Sequence, residues 1–350
     1  MNETNQRFDA LALFSGGLDS ILAAKVMQDQ GKRVLGLHFT SPFFGHAHKV
    51  DFWAREYGVP VLPVDVGEDY VRMLARPEHG WGKWLNPCVD CKILMLKKAR
   101  EMMADFGATV LVSGEVLGQR PMSQRRDALD IISRDAEVRD VLVRPLCARR
   151  LRPTPAEEQG LVDRERLLDI GGRGRKEQLA LAEHYGFTEV PTPAGGCLLT
   201  EKENAARFFQ VLRYKPEPAP DDFELFTAGR HFFSGPHWLV IGKTRRDNER
   251  LTTLAREGDI AFKVKDYPGP VALARPLGGQ WSQEAVMDAA AVVASYSPKA
   301  VRSGGEVVVM TQQGRVILAP RVTPDRSAGG FAPPTYEGLA EWKAERMEAT

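Results

Sequence analysis

Short apolar runs alternate with stretches of helical periodicity through the first half of the chain. Buried strands are predicted at residues 10–14, 32–39, 59–65, 108–113 and 141–146. Amphipathic spacing predicts helices between them over residues 21–31, 50–57 and 89–106. Strands separated by helices form a parallel sheet with helices on both faces. The pattern therefore predicts a doubly wound α/β domain, with ligands bound at the carboxyl ends of its strands.

The pattern changes after a proline-rich segment at residues 214–222, whose three prolines predict a stiff, extended linker. Shorter strands follow at residues 223–226, 238–241, 260–264, 271–274, 306–311 and 316–318, with helices at 247–256 and 283–295. This is typical of a smaller α+β module. The predicted organisation is a nucleotide-binding domain at 1–212, a linker at 213–222, the α+β domain at 223–320 and an extended tail at 321–350 with a short helix at 338–347.

Composition and charge restrict the class of protein. A chain of 350 residues, 43% hydrophobic and 27% charged, is long enough for two domains with their own cores. A net charge of +1 gives no global basic field, so any nucleic-acid contact must come from local patches. The polar start and the short apolar run after it predict neither an export signal nor a membrane span, so we expect a cytoplasmic protein.

A glycine pair lies where the first strand meets the first helix, in the motif Ser15-Gly-Gly-Leu-Asp-Ser20. Glycines at such a turn let backbone N–H groups converge, and the helix N-terminus adds positive charge. Ser15 and Ser20 can donate hydroxyls, and Asp19 can hold a metal ion or orient those donors. The motif lacks the lysine of a Walker loop. It predicts a phosphate-binding loop, with a connecting glycine-rich turn as the alternative.

The chain has four cysteines, and in a reducing compartment these are ligands or reagents rather than disulfides. Pro87 suits the first turn of a helix, so Cys88 and Cys91 lie one turn apart at its positive end, where thiolates are favoured. Cys197 follows two glycines, and we expect its thiol to be accessible.

Three chemistries are open to these thiols. Three thiolates and an open position suit an iron–sulfur cluster with one iron free to bind sulfide. Two thiolates could instead carry a persulfide and resolve it as a disulfide. A structural zinc would need Cys147 as a fourth ligand. Cys147 has no CxxC partner, so a small buried residue is the better interpretation of it.

Arginines follow the fourth strand in the segment 113–128, which is rich in glycine and polar residues. Arg120, Arg125 and Arg126 could contact ATP phosphates or an RNA backbone, or could form a solvated face. Further basic residues could extend this into one basic surface: Arg144, Arg149, Arg150, Arg152, Arg173, Arg175 and Lys176.

Four segments together resemble a known family. Residues 15–20, 86–91, 114–119 and 144–146 are similar to the pyrophosphatase domain of tRNA 4-thiouridine synthases, a PP-loop ATP pyrophosphatase of the HUP fold class. Residues 86–91 also resemble MnmA-type tRNA 2-thiouridylases. The resemblance covers about residues 8–210. It implies that ATP adenylates a uracil carbonyl oxygen, releasing pyrophosphate, and that sulfur then displaces AMP.

The resemblance also implies roles for individual residues. The three cysteines, Cys88, Cys91 and Cys197, match the ligands of a [4Fe–4S] cluster in some relatives, and in others a cysteine at the position of Cys197 carries a persulfide. Together with Asp19 they are the candidate catalytic residues. The candidate ATP- and Mg²⁺-binding residues are Leu13, Ser15, Gly16, Gly17, Asp19, Ser20, His38, Phe39, Gly114 and Gln119.

The second half resembles the NFACT-R domain, an RNA-binding module, over segments of residues 226–269. Lys243, Arg245 and Arg246 are candidate phosphate contacts. The aromatic side chains of Phe232, Phe233 or Tyr267 could stack on bases, or could belong to a small core.

The chain departs from 4-thiouridine synthases in two ways. No RNA-binding extension precedes Ser15, and no cysteine follows Cys197, so we expect no rhodanese relay within this sequence. We expect the NFACT-R-like module to supply tRNA binding. The predicted function is an ATP-dependent tRNA sulfurtransferase that makes 4-thiouridine.

Other functions and partners remain open at this point. The alternatives are a tRNA 2-thiouridylase, an RNA-binding or quality-control adaptor with a nucleotide-binding fold, and an adenylating enzyme for a small substrate. The predicted partners are tRNA and a sulfur donor, either a cysteine desulfurase or free sulfide. A homodimer is compatible with the sequence, and no membrane association is expected.

Overall fold

The computed structural model describes residues 7–191, 196–311, 314–326 and 328–348. The chain divides into two compact units, Met1–Thr200 and Glu201–Thr350. The strands of the first unit are β1 (Ala10–Leu13), β2 (Val34–Thr40), β3 (Val61–Asp65), β4 (Val110–Ser113) and β5 (Leu142–Val143). Its helices are α1 (Leu18–Asp29), α2 (Val50–Tyr57), α3 (Gly67–Ala75), α4 (Cys88–Phe106), α5 (Arg126–Asp135), α6 (Pro155–Glu158) and α7 (Lys176–His184).

The first unit is built on a parallel sheet with the strand order β3-β2-β1-β4-β5. Ala10 of β1 lies between Val34 of β2 and Val110 of β4, and every residue of β1 and β4 is buried. The order reverses at β1, so the crevice beyond β1 and β4 is a topological switch point. The predicted doubly wound α/β fold and its five strands are confirmed. Among the described residues, no helix is long and apolar enough to cross a membrane.

The second unit combines a six-stranded antiparallel sheet with helices. Its strands are β6 (Arg230–Ser234), β7 (His237–Ile241), β8 (Ile260–Val264), β9 (Val271–Pro276), β10 (Val307–Thr311) and β11 (Gly314–Leu318), in the order β11-β10-β8-β9-β7-β6. Its helices are α8 (Lys202–Tyr214), α9 (Pro220–Glu224), α10 (Arg245–Leu254), α11 (Gln283–Ala294), α12 (Pro298–Ser303) and α13 (Leu339–Glu348). The α+β class predicted for this half is confirmed.

The predicted strand at residues 223–226 is wrong, because this segment is helical. Pro220 stands in the first turn of α9, and the carboxylate of Asp222 accepts from the backbone N–H of Ala219 at 2.8 Å. The rings of Phe223 and Phe226 both pack on Phe208, with centroids 5.7 and 5.3 Å away. Their spacing of three residues brings both rings to one side of a helix, whereas two residues three apart in a strand face opposite ways.

The division between the units lies at Thr200 and Glu201, before the proline-rich segment. That segment is not a free extended linker, because Asp222 is fully buried and accepts from Lys215 Nζ at 2.7 Å. The tail beyond residue 321 contains the predicted short helix as α13, where Trp342 packs edge-on against Phe209. The limits of the functional domains at 1–212, 213–222, 223–320 and 321–350 stay predictions.

Candidate active site

The loop between β1 and α1 is held in one shape by close packing. Gly16 has a φ of +76°, and a Cβ built on it would lie 2.1 Å from the Trp53 ring, so the position requires glycine twice over. The Ser20 hydroxyl donates to the Gly17 carbonyl at 2.8 Å, and the Ser15 hydroxyl donates to Ser20 Oγ at 3.3 Å. The backbone N–H groups of this loop are therefore fixed at the N-terminus of α1, where an anion is favoured.

Two neighbouring strands support this loop. A Cβ on Gly114, just beyond β4, would lie 2.5 Å from the Asp19 carbonyl oxygen, so the two backbones touch. His38 of β2 donates from Nδ1 to the Phe14 carbonyl at 2.8 Å and accepts at Nε2 from the His46 N–H at 2.7 Å. These two bonds fix the neutral tautomer, and burial lowers the pKa of His38. Both ring nitrogens of His38 are thus used in hydrogen bonds that hold the loop in place.

Asp19 combines burial with an unused oxygen. Gln119 Nε2 donates to Asp19 Oδ2 at 3.0 Å, whereas Asp19 Oδ1 and Gln119 Oε1 are buried with no hydrogen-bond partner among the described residues. Burial raises the pKa of Asp19, against the Gln119 hydrogen bond and the charges of Arg175 and Arg120. Mg²⁺ prefers oxygen ligands and usually takes one or two carboxylates together with phosphate oxygens. The two unused oxygens fit such an ion.

The three cysteines line the same cavity as the glycine loop, which has a volume of about 790 Å³. Cys88 and Cys91 open α4 as predicted, and the Asn86 side chain donates to Cys88 Sγ at 3.2 Å. Cys197 precedes a 3₁₀ turn that is fixed by two backbone hydrogen bonds. The Leu198 N–H donates to the Phe43 carbonyl, and the Leu85 N–H donates to the Leu199 carbonyl. Gly195, one of the two glycines before Cys197, lies outside the described residues.

Burial dominates the electrostatics of these thiols. It raises the pKa of Cys91 to about 11 and that of Cys197 to about 12. Neighbouring charges add to the rise, from Cys88 and Asp90 for Cys91 and from Cys91 and Cys88 for Cys197. The expectation that the N-terminus of α4 favours a Cys91 thiolate is therefore wrong, because desolvation outweighs the helix dipole. Cys197 is partly exposed, and it faces the cavity rather than bulk solvent.

A single metal ion is one of the alternatives for these thiols. Among the described residues, no three His, Cys, Asp or Glu side chains are gathered tightly enough to hold one metal ion. A zinc ion draws its ligands to about 2.3 Å, whereas a four-iron cluster binds each thiolate at a different iron. Cys147 is fully buried and donates to the Glu115 carbonyl at 3.2 Å, so it is the small buried residue that the sequence favours over a zinc ligand.

A buried ion pair lies behind the cavity. Arg144 Nε donates to Glu115 Oε2 at 3.0 Å, and Ser113 Oγ donates to the same oxygen at 3.1 Å. Burial raises the pKa of Glu115, but the charges of Arg144 and Lys92 and the hydrogen bonds from Arg144 and Ser113 together outweigh it, so the net shift is downward. Arg144 therefore belongs to the interior and not to the predicted basic surface. Arg125 pairs with Asp127 on the exterior, and Arg126 donates to the Arg150 carbonyl.

All ten candidate ATP-binding residues lie on the cavity wall, and their role stays a prediction. Of the three arginines singled out after β4, Arg120 alone lines this cavity. Sequence reasoning missed several lining residues, because neither their spacing nor their residue type marks them individually: Phe44, Lys49, Trp53, Tyr70, Lys92, Ser123, Gln124 and Thr200.

In the second unit, the candidate RNA-binding residues cluster at the start of α10. Thr244 caps this helix by accepting from the Asp247 N–H at 3.1 Å. The side chains of Lys243, Arg245 and Arg246 are exposed around this cap, and Arg245 donates to Glu249 at 3.0 Å. Phe232 and Phe233 are buried in the core, so the idea that they stack on bases is wrong; both face other side chains of the unit.

Residues 229–325 match the family described as "NFACT protein RNA binding domain". The chain is also similar to curated proteins. One, from Thermococcus kodakarensis, is named "Probable tRNA sulfurtransferase", with 29% identity over 46% of this chain and 39% of that protein. A tRNA sulfurtransferase of Marinobacter nauticus is 31% identical over 39% of this chain and 28% of its own length.

A tRNA-specific 2-thiouridylase MnmA of Geobacter metallireducens is 29% identical over 27% of this chain and 33% of that protein. The matched region thus spans between 28% and 39% of the length of these three relatives. The similarity bears out the predicted resemblance to tRNA-thiolating enzymes and to an NFACT-R domain.

Replacing Gly16 by alanine should weaken ATP binding at least about tenfold, because the new methyl group must displace Trp53 or the loop. Gly31→Ala is the matched control: its φ is +78°, and nothing lies within 4 Å of a Cβ there. Both variants carry the same backbone strain, and Gly16→Ala alone carries the clash. Calorimetric titration with ATP compares them, and equal dissociation constants would show that the loop does not hold the nucleotide.

Proposed function

We propose that this protein is an ATP-dependent tRNA sulfurtransferase that replaces a uridine carbonyl oxygen with sulfur. The observation that carries the proposal is the convergence of the glycine loop and three cysteines on one cavity. A phosphate site alone would suit many nucleotide-binding proteins, and a group of thiols alone would suit a metal protein. Both in one cavity suit a reaction that activates an atom with ATP and then attacks it with sulfur.

In the first step, the uracil carbonyl oxygen attacks the α-phosphorus of ATP and pyrophosphate leaves. The fixed N–H groups of Ser15, Gly16 and Gly17 would bind the leaving pyrophosphate. Asp19 and Gln119 would hold Mg²⁺ against the same phosphates through their unused oxygens. Arg120 and Arg175 line the cavity and would balance the remaining negative charge.

In the second step, sulfur forms a bond to the activated carbon and the carbon–oxygen bond breaks, releasing AMP. Cys88, Cys91 and Cys197 line the cavity from α4 and the Cys197 turn, so they would hold the sulfur that a cysteine desulfurase or free sulfide delivers. We propose that they hold a [4Fe–4S] cluster, which would offer an open iron to bind sulfide. The runner-up is a persulfide carried on Cys197 and resolved as a disulfide by one cysteine of the pair.

The second unit would bind the tRNA. Its match to an RNA-binding family and the exposed cations at the start of α10 support this role. We propose 4-thiouridine as the product, because four segments of the sequence resemble 4-thiouridine synthases. The rival product is 2-thiouridine, because a tRNA-specific 2-thiouridylase matches at the same 29% identity as a probable tRNA sulfurtransferase. The thionucleosides in tRNA from cells lacking this protein would distinguish the two and locate the modified position.

Asp19→Asn should reduce tRNA-dependent release of pyrophosphate from ATP by at least about 100-fold, because Mg²⁺ loses the carboxylate that would hold it against the ATP phosphates. Asp69→Asn, at an exposed position on α3, should keep full activity. Release of pyrophosphate in the absence of tRNA would indicate a small-molecule substrate. ATP binding with no release under any condition would indicate an adaptor.

Serine at Cys88, Cys91 or Cys197 should abolish thiolation of tRNA while leaving tRNA-dependent pyrophosphate release within about threefold. Cys147→Ser is the matched control, since a hydroxyl can still donate to the Glu115 carbonyl. Anaerobically purified protein should be brown, with about four irons per chain. An iron-free, colourless protein that still thiolates tRNA and tolerates Cys88→Ser would favour the persulfide relay.

Removing the charges of Lys243, Arg245 and Arg246 together should weaken tRNA binding. The slope of the logarithm of the binding constant against the logarithm of the salt concentration should become shallower by up to about 0.9 for each lost phosphate contact. A control variant removes three exposed cations of the first unit: Arg55, Arg72 and Lys97. Binding is measured by filter retention over a range of salt concentrations. Unchanged affinity in the first variant would mean that α10 faces another partner.

A further inference from the structure

Gln124 is a buried polar residue with an unused acceptor that faces the cavity. Its side chain is 6% exposed, and its Oε1 has no hydrogen-bond partner within the described parts of the chain. A buried carbonyl oxygen without a donor costs free energy, so such an atom is expected where a ligand supplies the donor. Gln124 lies on the cavity wall, and neither the phosphate site nor the thiols use it.

The loop that carries Gln124 joins the two halves of the proposed site. The Gly118 N–H donates to the Gln124 carbonyl at 2.7 Å, which closes residues 118–124 into a compact loop. At one end, Gln119 donates to Asp19 at 3.0 Å. Near the other end, Met122 Sδ lies 3.5 Å from the Asn86 amide, whose nitrogen is also 3.2 Å from Cys88 Sγ.

A reacting base has to lie between these two ends. Its carbonyl oxygen must reach the α-phosphorus on the Asp19 side, and its carbon must be open to sulfur on the Cys88 side. Gln124 belongs to the segment that spans this gap. Its backbone is fixed on both sides, because its N–H donates to the Arg120 carbonyl at 3.1 Å and its carbonyl accepts from the Gly118 N–H.

We propose that Gln124 reads the target base, with Oε1 accepting a hydrogen bond from the N3–H of uracil. This inference rests on the proposed function. Uracil has a hydrogen at N3 between its two carbonyl groups, whereas cytosine has a lone pair there. An acceptor fixed against N3 therefore admits uridine and repels cytidine. The bond also fixes the plane of the base, so that one carbonyl is presented to ATP.

Glu115 is the competing acceptor. Its Oε1 is also buried without a partner among the described residues, and it lines the cavity. Its other oxygen is bound by Arg144 and Ser113, so Glu115 already has a function in holding β4. Gln124 has no such second function, and it lies in the segment between the phosphate and sulfur sites. The test separates the two residues.

The experiment measures tRNA-dependent pyrophosphate release by the full chain, using a synthetic transcript with uridine or 3-methyluridine at the mapped position. The methyl group replaces the N3–H and leaves both carbonyl oxygens in place. Gln124→Leu keeps the size of the side chain and removes the acceptor, and Gln124→Glu keeps an acceptor. We expect Gln124→Leu to lower kcat on the uridine transcript about 10- to 100-fold, with KM for tRNA and the ATP dissociation constant within about twofold. Gln124→Glu should retain kcat within about tenfold, and Gln159→Leu, at an exposed position, should match the unmodified protein.

The preference for the uridine transcript over the 3-methyluridine transcript should fall at least about tenfold in Gln124→Leu and persist in Gln124→Glu. Equal losses in both variants would assign Gln124 a structural role and overturn the proposal. A loss of preference in Glu115→Gln with Gln124→Leu unaffected would assign base reading to Glu115 instead. If the unmodified protein releases no pyrophosphate with tRNA, it is the sulfurtransferase function that fails.

Discussion

The close approach of backbones at the carboxyl edge of the parallel sheet is the constraint on which the rest of the first unit depends. Gly16 fits under the Trp53 ring and Gly114 fits against the start of α1, with no room for a side chain at either place. These contacts draw β1, β4 and α1 together, so the phosphate loop and the 114–124 segment share one wall. Without this packing, Asp19 and Gln119 could not meet at 3.0 Å.

The buried Glu115–Arg144 pair extends this constraint to the neighbouring strand. Arg144 also donates to the Leu129 carbonyl and Ser133 Oγ on α5, so one guanidinium joins the ends of β4, β5 and α5. Burying two charges is expensive, and a hydrophobic pair of equal volume would serve stability at least as well. The pair instead orients the Glu115 carboxylate: Arg144 occupies one of its oxygens and leaves the other at the cavity.

Motifs and periodicity predicted the parts of this molecule whose physics is local. The five parallel strands, the glycine loop and the Cys88–Cys91 helix start depend on turn conformation, helix signals and short apolar runs, and all were predicted. The helical form of residues 223–226 was not predicted, because it depends on the packing of two phenylalanines against Phe208. The raised pKa of Cys91 was missed because burial, which no spacing reveals, opposes the helix dipole.

Burial of the thiols determines which chemistry the cavity can support. Burial favours the protonated form of Cys91 and Cys197 by raising the pKa of each. Charge on a neighbouring thiolate adds to this cost, from Cys88 for Cys91 and from Cys91 and Cys88 for Cys197. A thiol is a poor sulfur donor and a poor ligand, so both must be ionised against compensating positive charge. Lys92 opposes the rise in the Cys91 pKa, but one cation cannot offset several thiolates in a dry site. Iron in a cluster supplies that charge directly, whereas a persulfide relay needs one thiolate at a time. The cluster and the persulfide relay therefore differ physically in how many thiols must be ionised at once. Burial makes this difference important, because it raises the free-energy cost of each thiolate.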